Sequence, residues 1–356
     1  MDETWDHYST LEKEHERLFE TNDEEEDQNN NDIENEEKHK ILISADEIID
    51  QDDEDKMHLL TNFTIEEFEE LFNTIAPILE TRVHKDALIS PRSKLLLTLC
   101  WCKHGETFQL LSSNFGLKLT YTHDVIINVI QRAGKVLSQK YIKWISVNQR
   151  ITDFNMRLLD WPMLLGSVDA TIQKINRPTV NQKEYFSGKH KTHCVKVQGF
   201  VSPTGLLIHY TNSVPGSVHD FNLFKTSGLK ELIIDENQRC QQLFGSNATT
   251  LADAGYQGIS KIVPGSVTPH KKPRNGNLTH QQKTFNQSIS HRRILIENWF
   301  GRLKILWNIM YECYRLRLTF YDDLWMFCAS LTNFHIMKHP LRSEEVEEEE
   351  EEAPDD

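Results

Sequence analysis

Long apolar runs are missing from this chain. The longest, "LLLTLCW" at Leu95–Trp101, is far short of the ~20 residues that cross a bilayer, so no membrane partner is expected. The first residues, "MDETWDHYS", lack the apolar segment of a secretion signal. The six cysteines show no CxxC spacing, and Cys100 and Cys102 merely flank Trp101. That arrangement suits neither a zinc knuckle nor a disulfide framework, and it points to a reducing intracellular compartment. No internal repeat is visible. Residues 343–356 contain no basic side chain at all.

What is present is charge, unevenly placed. The formal net charge of -15 argues at first sight against a nucleic-acid partner. Residues 1–56, however, hold 23 acidic and 5 basic side chains, and residues 343–356 hold 10 acidic ones. Between them, 34 basic residues face 21 acidic ones, so the body of the protein carries +13. A basic body with acidic ends fits a polyanionic partner. The segments 1–56 and 342–356 have too little apolar surface to offset ordering entropy and are expected to be disordered. They read as solubilising tails or as a built-in DNA mimic covering the basic body.

From about Asn62 to Val147 the patterning is helical. Thr64 and Glu67 form the pattern of a capping box ahead of the apolar face Phe68, Leu71, Phe72 and Ile75. A second helix opens with Ser90 and Pro91 and closes at Gly105. A short helix around Phe108–Phe115 ends at Gly116, a turn is expected over Leu117–Tyr121, and Thr122 could cap a longer helix to Val136. That is the outline of a helix-turn-helix, although plain helical domains also show it. From Leu158 the pattern changes to strands: "MLLGSVDATIQKI", two strands around a Pro-Thr-Gly turn, and "ATTLADAGYQG". "HDFNLFKTSGLKELII" between them reads as a helix, and a long helix is expected from Ser290 with Ile296, Trp299, Phe300, Leu303 and Leu306 on its packed side. Strands alternating with helices make one α/β domain.

Asp169 and Asp253 are each expected at the carboxyl end of a strand, where open α/β sheets place ligands. A buried, unpaired carboxylate costs several kcal/mol, so Asp169 needs a cation, a donor set or a reaction. Glu297 supplies a third carboxylate from the last helix, and Arg293, Gly301 and Lys304 share its face. Gly301 costs roughly 1 kcal/mol in a helix interior, which the close approach of a nucleic-acid strand would justify. A plain Arg293–Glu297 salt bridge is the other reading of that face. Three converging carboxylates suit Mg²⁺ or Mn²⁺, ions that take oxygen ligands and phosphate.

The set "VDAT … LADAGY … RRILIENWFGRLK", with "YFSGKHKTH", "VPGSVHD" and "TPHKKP", resembles the DDE superfamily of endonucleases, and within it the PIF/Harbinger transposases and the nucleases derived from them. The resemblance spans about Leu158 to Lys338 and departs at Ala170, where the family more often has glycine. It implies an RNase H-like nuclease domain over 156–341, preceded by the helical, helix-turn-helix-like region 57–155. It also implies Asp169, Asp253 and Glu297 as catalytic, metal-binding residues, and cleavage of phosphodiester bonds at transposon ends followed by strand transfer. The implied partners are DNA and a Myb-like DNA-binding protein, with a homo-oligomer as a further expectation. The implied location is the nucleus, with the cytoplasm as second compartment. Two alternatives stay open: a transposase-derived DNA- or chromatin-binding protein without cleavage activity, and an RNase H-like nuclease acting on another nucleic acid.

Other residues carry weaker signals. Lys189 and Lys191 beside His190, and Lys271, Lys272 and Arg274 in a later loop, are candidate phosphate contacts together with Arg293 and Lys304. "HKKPR" could also serve nuclear import. His219 and Asp220 read as the start of a helix, with Asp220 near its positive end. His335 and His339 are four apart, as helix-borne metal ligands can be, but no third ligand is evident in the sequence. Most of the seven tryptophans read as core.

Overall fold

The computed structural model describes residues 41–80, 88–156, 158, 160–274 and 276–341. The acidic segment 342–356, and residues 1–40 of the N-terminal one, lie outside the described residues. Order begins earlier than the charge run implied. Helix α1 (Ala45–Asp50) falls inside the segment expected to be disordered to residue 56, and helix α2 (Glu54–Thr61) begins within it. Ala45 and Ile48 are buried, and the Ala45 N–H donates to Ser93 Oγ at 3.0 Å. A few apolar anchors thus outweigh the acidic neighbours.

Local signals set the next helices. In α3 (Ile65–Glu80) the Thr64 N–H donates to Glu67 Oε2 at 3.0 Å and the Glu67 N–H to Thr64 Oγ1 at 3.1 Å, a reciprocal cap. Helix α4 (Pro91–His104) opens on the Ser90 hydroxyl and ends at Gly105, whose φ of +67° is left-handed. Helix α5 (Phe108–Phe115) ends at Gly116, and α6 (Leu119–Tyr141) follows after Gly116–Lys118. The turn is shorter than expected, and Thr122 is a buried residue inside α6, not its cap. Leu119 enters the helix because the stripe Val125, Ile126, Val129, Ile130 and Ala133 extends one turn back to Thr122. Helix α7 (Val147–Thr152) leads to the sheet.

The sheet is mixed and seven-stranded: β1 (Leu164–Lys174), β2 (Phe186–Ser187), β3 (Thr192–Val201), β4 (Leu207–Tyr210), β5 (Val214–Pro215), β6 (Thr249–Ala252) and β7 (Ser266–Val267). Its order is β2-β3-β1-β6-β7, with β4 and β5 also paired to β3. β1 runs antiparallel to β3 and parallel to β6. A short helix α8 (Gln182–Tyr185) precedes β2. The helix expected over His219–Ile234 is two helices, α9 (Asp220–Thr226) and α10 (Leu229–Phe244), because Gly228 between them takes φ +75°. Helix α11 (His280–Leu306) begins ten residues before the expected Ser290, behind a Thr279–Gln282 capping box.

Two cores cover the two faces of the sheet. On one face Val168 and Phe200 pack with Phe224, Leu229 and Ile233 of α9 and α10. On the other Val195, Val197 and Val201 join Trp299 and Leu303 of α11, helix α12 (Leu318–Lys338) and the helices from Ala45 onward in one cluster. Asn333 of α12 sits at its centre, fully buried. Its Oδ1 accepts from the Leu207 N–H (3.0 Å) and Trp299 Nε1 (2.9 Å), and its Nδ2 donates to the Tyr141 and Leu207 carbonyls (2.8 Å each). One side chain therefore ties α6, β4, α11 and α12 together, with every polar atom partnered.

Candidate active site

The parallel ladder between β1 and β6 closes at Val168↔Ala252. Asp169 and Asp253 are the next residues along the chain from that last pair, which sets them side by side. Asp253 follows the last residue of β6 and immediately precedes a 3-10 turn, Ala254–Tyr256. Asp169 does not end its strand, as was expected from the sequence; it lies mid-strand, since β1 continues to Lys174 along β3 after leaving β6.

Asp169 pairs across the ladder with Gly199. A methyl carbon on Gly199 would lie 3.1 Å from the Phe300 ring and 3.0 Å from Leu207, so the bare backbone lets α11 settle on the sheet there. Phe300 thereby fixes the helix over Asp169, and Glu297 and Arg293, one and two turns back along α11, reach the same place.

There the three carboxylates gather around one guanidinium. Arg293 Nη2 is 2.7 Å from Glu297 Oε1 and 3.8 Å from Asp253 Oδ1, and Nη1 is 3.5 Å from Asp169 Oδ2. The expected Arg293–Glu297 pair therefore exists, but as one arm of a four-residue cluster. Asp169 also accepts from the Ala170 N–H at 2.8 Å. Burial pushes its carboxyl up from 3.8 to about 6, against the pull of the Ala170 N–H and Arg293 and with the push of Asp253.

A second polar group lies alongside, and the sequence reading missed most of it. Lys196 is buried in β3, and its Nζ is 2.6 Å from Asp220 Oδ1 and 2.7 Å from the Val218 carbonyl. Gln198, two residues on, donates to Tyr256 Oη at 2.9 Å and to the Asp220 carbonyl at 3.2 Å. Burial holds the Tyr256 hydroxyl well above its ordinary range, reinforced by Asp169, Asp220 and Asp253. Asp220, first residue of α9 behind His219 as expected, points toward Asp253: both carboxylates lie 3.9 Å from where a Gly255 side chain would start. The clue was in "CVKVQGF", where Lys196 and Gln198 occupy alternate positions of an otherwise apolar strand.

The expected phosphate contacts divide. Lys189 is close, with Nζ 4.0 Å from Asp220 Oδ2 and an influence on Asp169. Lys304 folds back so that its Nζ meets the Ile172 carbonyl at 3.3 Å. Lys191 is an exposed turn residue at φ +54°. Lys271, Lys272 and Arg274 are exposed on the loop into α11, which Asn286 holds by bonds to both backbone atoms of His270. Away from the site, His339 Nε2 is 2.8 Å from Glu67 Oε1, while His335 faces Arg302.

A hard divalent cation matches the donor chemistry of Asp169, Asp253 and Glu297, which offer only carboxylate oxygens. Their spacing is that of an arginine site: among the described residues, no three His, Cys, Asp or Glu side chains are gathered closely enough to hold a metal ion.

Residues 168–333, the stretch that contains all three carboxylates, match the family model described as DDE superfamily endonuclease. That part of the chain is thus similar in sequence to DDE superfamily endonuclease domains. Among curated proteins it is similar to the probable transposase for insertion sequence element IS702 of Microchaete diplosiphon, at 39% identity over 150 residues, which is 42% of this chain and 49% of that protein. The chain spans about half the length of that curated relative. No solved structure matches it.

Proposed function

We propose that the protein is a divalent-metal-dependent DNA endonuclease of transposase type. One observation carries this reading: acidic residues from β1, from just past β6 and from α11 converge on the Arg293 guanidinium inside the stretch that matches the DDE endonuclease family. The parallel β1–β6 pair with a carboxylate after its last rung, and α11 crossing above it, supports an RNase H-like nuclease domain.

In this reading Asp169, Asp253 and Glu297 hold Mg²⁺ or Mn²⁺. A bound divalent cation supplies a water nucleophile at neutral pH and polarises the scissile phosphate. The chain's own residues do the rest. The Ala170 N–H fixes the Asp169 carboxylate, and the Lys196–Asp220 pair braces the start of α9 beside Asp253. Lys189, Lys191, Lys271, Lys272, Arg274, Arg293 and Lys304 provide the positive charge that carries a DNA backbone across this end of the sheet. Water oxygen attacks phosphorus, the P–O3′ bond breaks, and the released 3′-hydroxyl can attack a second phosphodiester in line. We extend the reading to cleavage at transposon ends, to a PIF/Harbinger type with a Myb-like partner, to a homo-oligomer, to DNA contact by the α5–turn–α6 element, and to work in the nucleus.

Purified protein incubated with duplex DNA and Mg²⁺ or Mn²⁺ should nick it, and Asp169→Ala should abolish nicking. No nicking with either metal, or unchanged nicking by the variant, sinks this reading. One observation favours a second reading, DNA binding without cleavage: an arginine, not an open site, lies between the carboxylates. DNA binding with no cleavage in the same assay would select it.

A further inference from the structure

We infer that Arg293 is an internal stand-in for the metal: its guanidinium neutralises the three carboxylates in the metal-free protein and must leave before a divalent cation can enter. The inference rests on the proposed metal site, and it concerns how that site is filled.

The geometry carries it. The Arg293 side chain is 14% exposed, so it is not a surface cation that happens to lie nearby. It is within 3.8 Å of one oxygen from each of Asp169, Asp253 and Glu297, and those oxygens come from three distant parts of the sequence. A guanidinium is flat, and its N–H groups point outward in a fork. It can satisfy several carboxylates only from its rim, which keeps their oxygens apart. Mg²⁺ instead draws oxygens to about 2.1 Å from a common centre. The two arrangements exclude each other, which explains why acidic groups that share one partner do not themselves form a metal cluster.

A consequence follows for DNA. An arginine expelled by the metal is a partly buried cation without a partner, and such a charge is costly. A phosphate of the substrate strand can take over from the carboxylates as its counter-ion. Metal and DNA would then each promote binding of the other, since both act on the position of one side chain.

The test is Mn²⁺ binding to the DNA-free full chain, read from the electron paramagnetic resonance signal of free Mn²⁺. Wild type is compared with Arg293→Gln and with Lys189→Gln, which removes a nearby charge that does not bridge the carboxylates. Arg293→Gln should tighten Mn²⁺ binding by roughly tenfold or more, in the range of ordinary site–site coupling. Lys189→Gln should change it by about twofold or less, as for an exposed charge. Melting curves give a readout independent of affinity: Arg293→Gln should lower the melting temperature in EDTA and regain it with Mn²⁺. Should Arg293→Gln not fold in either condition, Arg293→Lys keeps the charge, loses the fork and should tighten binding in the same direction.

Unchanged or weaker Mn²⁺ binding by the variant that folds overturns the inference, as does equal tightening by Lys189→Gln. Tightening that persists when Asp169→Asn is added also overturns it, because the ion would then lie elsewhere. The two readings fail separately. A protein that shows the Mn²⁺ pattern but never nicks DNA sinks the nuclease and leaves Arg293 in this role. A protein that nicks, with Mn²⁺ binding indifferent to Arg293, does the reverse.

Discussion

Helix α11 serves two polar centres that differ in kind. Its Trp299 indole donates to Asn333, a neutral amide deep in the core whose hydrogen bonds are all made at 2.8–3.0 Å. Its Arg293 and Glu297 enter a charged cluster where the β1–β6 ladder ends, with contacts from 2.7 to 3.8 Å and a Glu297 side chain that is 52% exposed. The first is saturated and shut away from water. The second is charged, loosely bonded and open on one side. Saturation locks a fold in one arrangement, whereas an unsaturated, charged cluster keeps its members ready to change partners.

The sharpest way to break this contrast is to remove each centre in turn. Asn333→Ala strips partners from Leu207, Trp299 and Tyr141 at once, and each buried group left unmet costs about 1–3 kcal/mol. Urea denaturation should show a loss of roughly 3 kcal/mol or more, or no folded protein. Asp169→Asn should do the opposite: in the nuclease reading, nicking falls by roughly a thousandfold or more, as when one member of a catalytic unit is lost, while the urea midpoint at pH 7.5 stays level or rises. A large loss of stability in Asp169→Asn would erase the distinction.

A smaller effect lies in pH. Because the folded Asp169 carboxyl titrates near 6 instead of 3.8, the folded state holds its proton longer than the unfolded chain does. Its contribution to stability is therefore full below pH 3.8 and is lost as pH rises through about 6. Melting temperatures in EDTA between pH 4 and 7 should contain a falling component that Asp169→Asn lacks. The smallest expected change is at Gly301, where an added side-chain carbon meets nothing within 4 Å. Gly301→Ala should raise stability by about 1 kcal/mol through helix propensity alone, and in the nuclease reading it should weaken DNA binding by obstructing the strand. Tighter DNA binding would leave this glycine unexplained.

Legibility followed the range of the forces involved. The Thr64–Glu67 cap, the Ser90-Pro91 start and the Gly105 stop were readable because a few neighbouring residues decide them. The buried face Ile296, Trp299, Phe300, Leu303 and Leu306 was readable from its spacing. Helix α12 was not, because it is apolar nearly all round: Phe320, Leu324, Phe327, Leu331 and Phe334 are buried together with Tyr321, Trp325, Cys328 and Ile336, so no stripe marks it. The three carboxylates could be picked out one at a time. What Arg293 does with them could not, since its spacing to Glu297 is equally that of an ordinary surface pair. Only the offset of β1 against β6 and the contact of Phe300 with Gly199 decide where that arginine goes.

The cluster that joins the opening helices to α11, α12 and the sheet has a practical outcome for anyone dissecting the molecule. A fragment cut at residue 156 would leave the Trp299–Trp325 side of the sheet bare and should aggregate, however faithfully it carries the acidic residues. In the nuclease reading, any grip these helices take on DNA would then pull on the carboxylate cluster through shared side chains, not through a hinge.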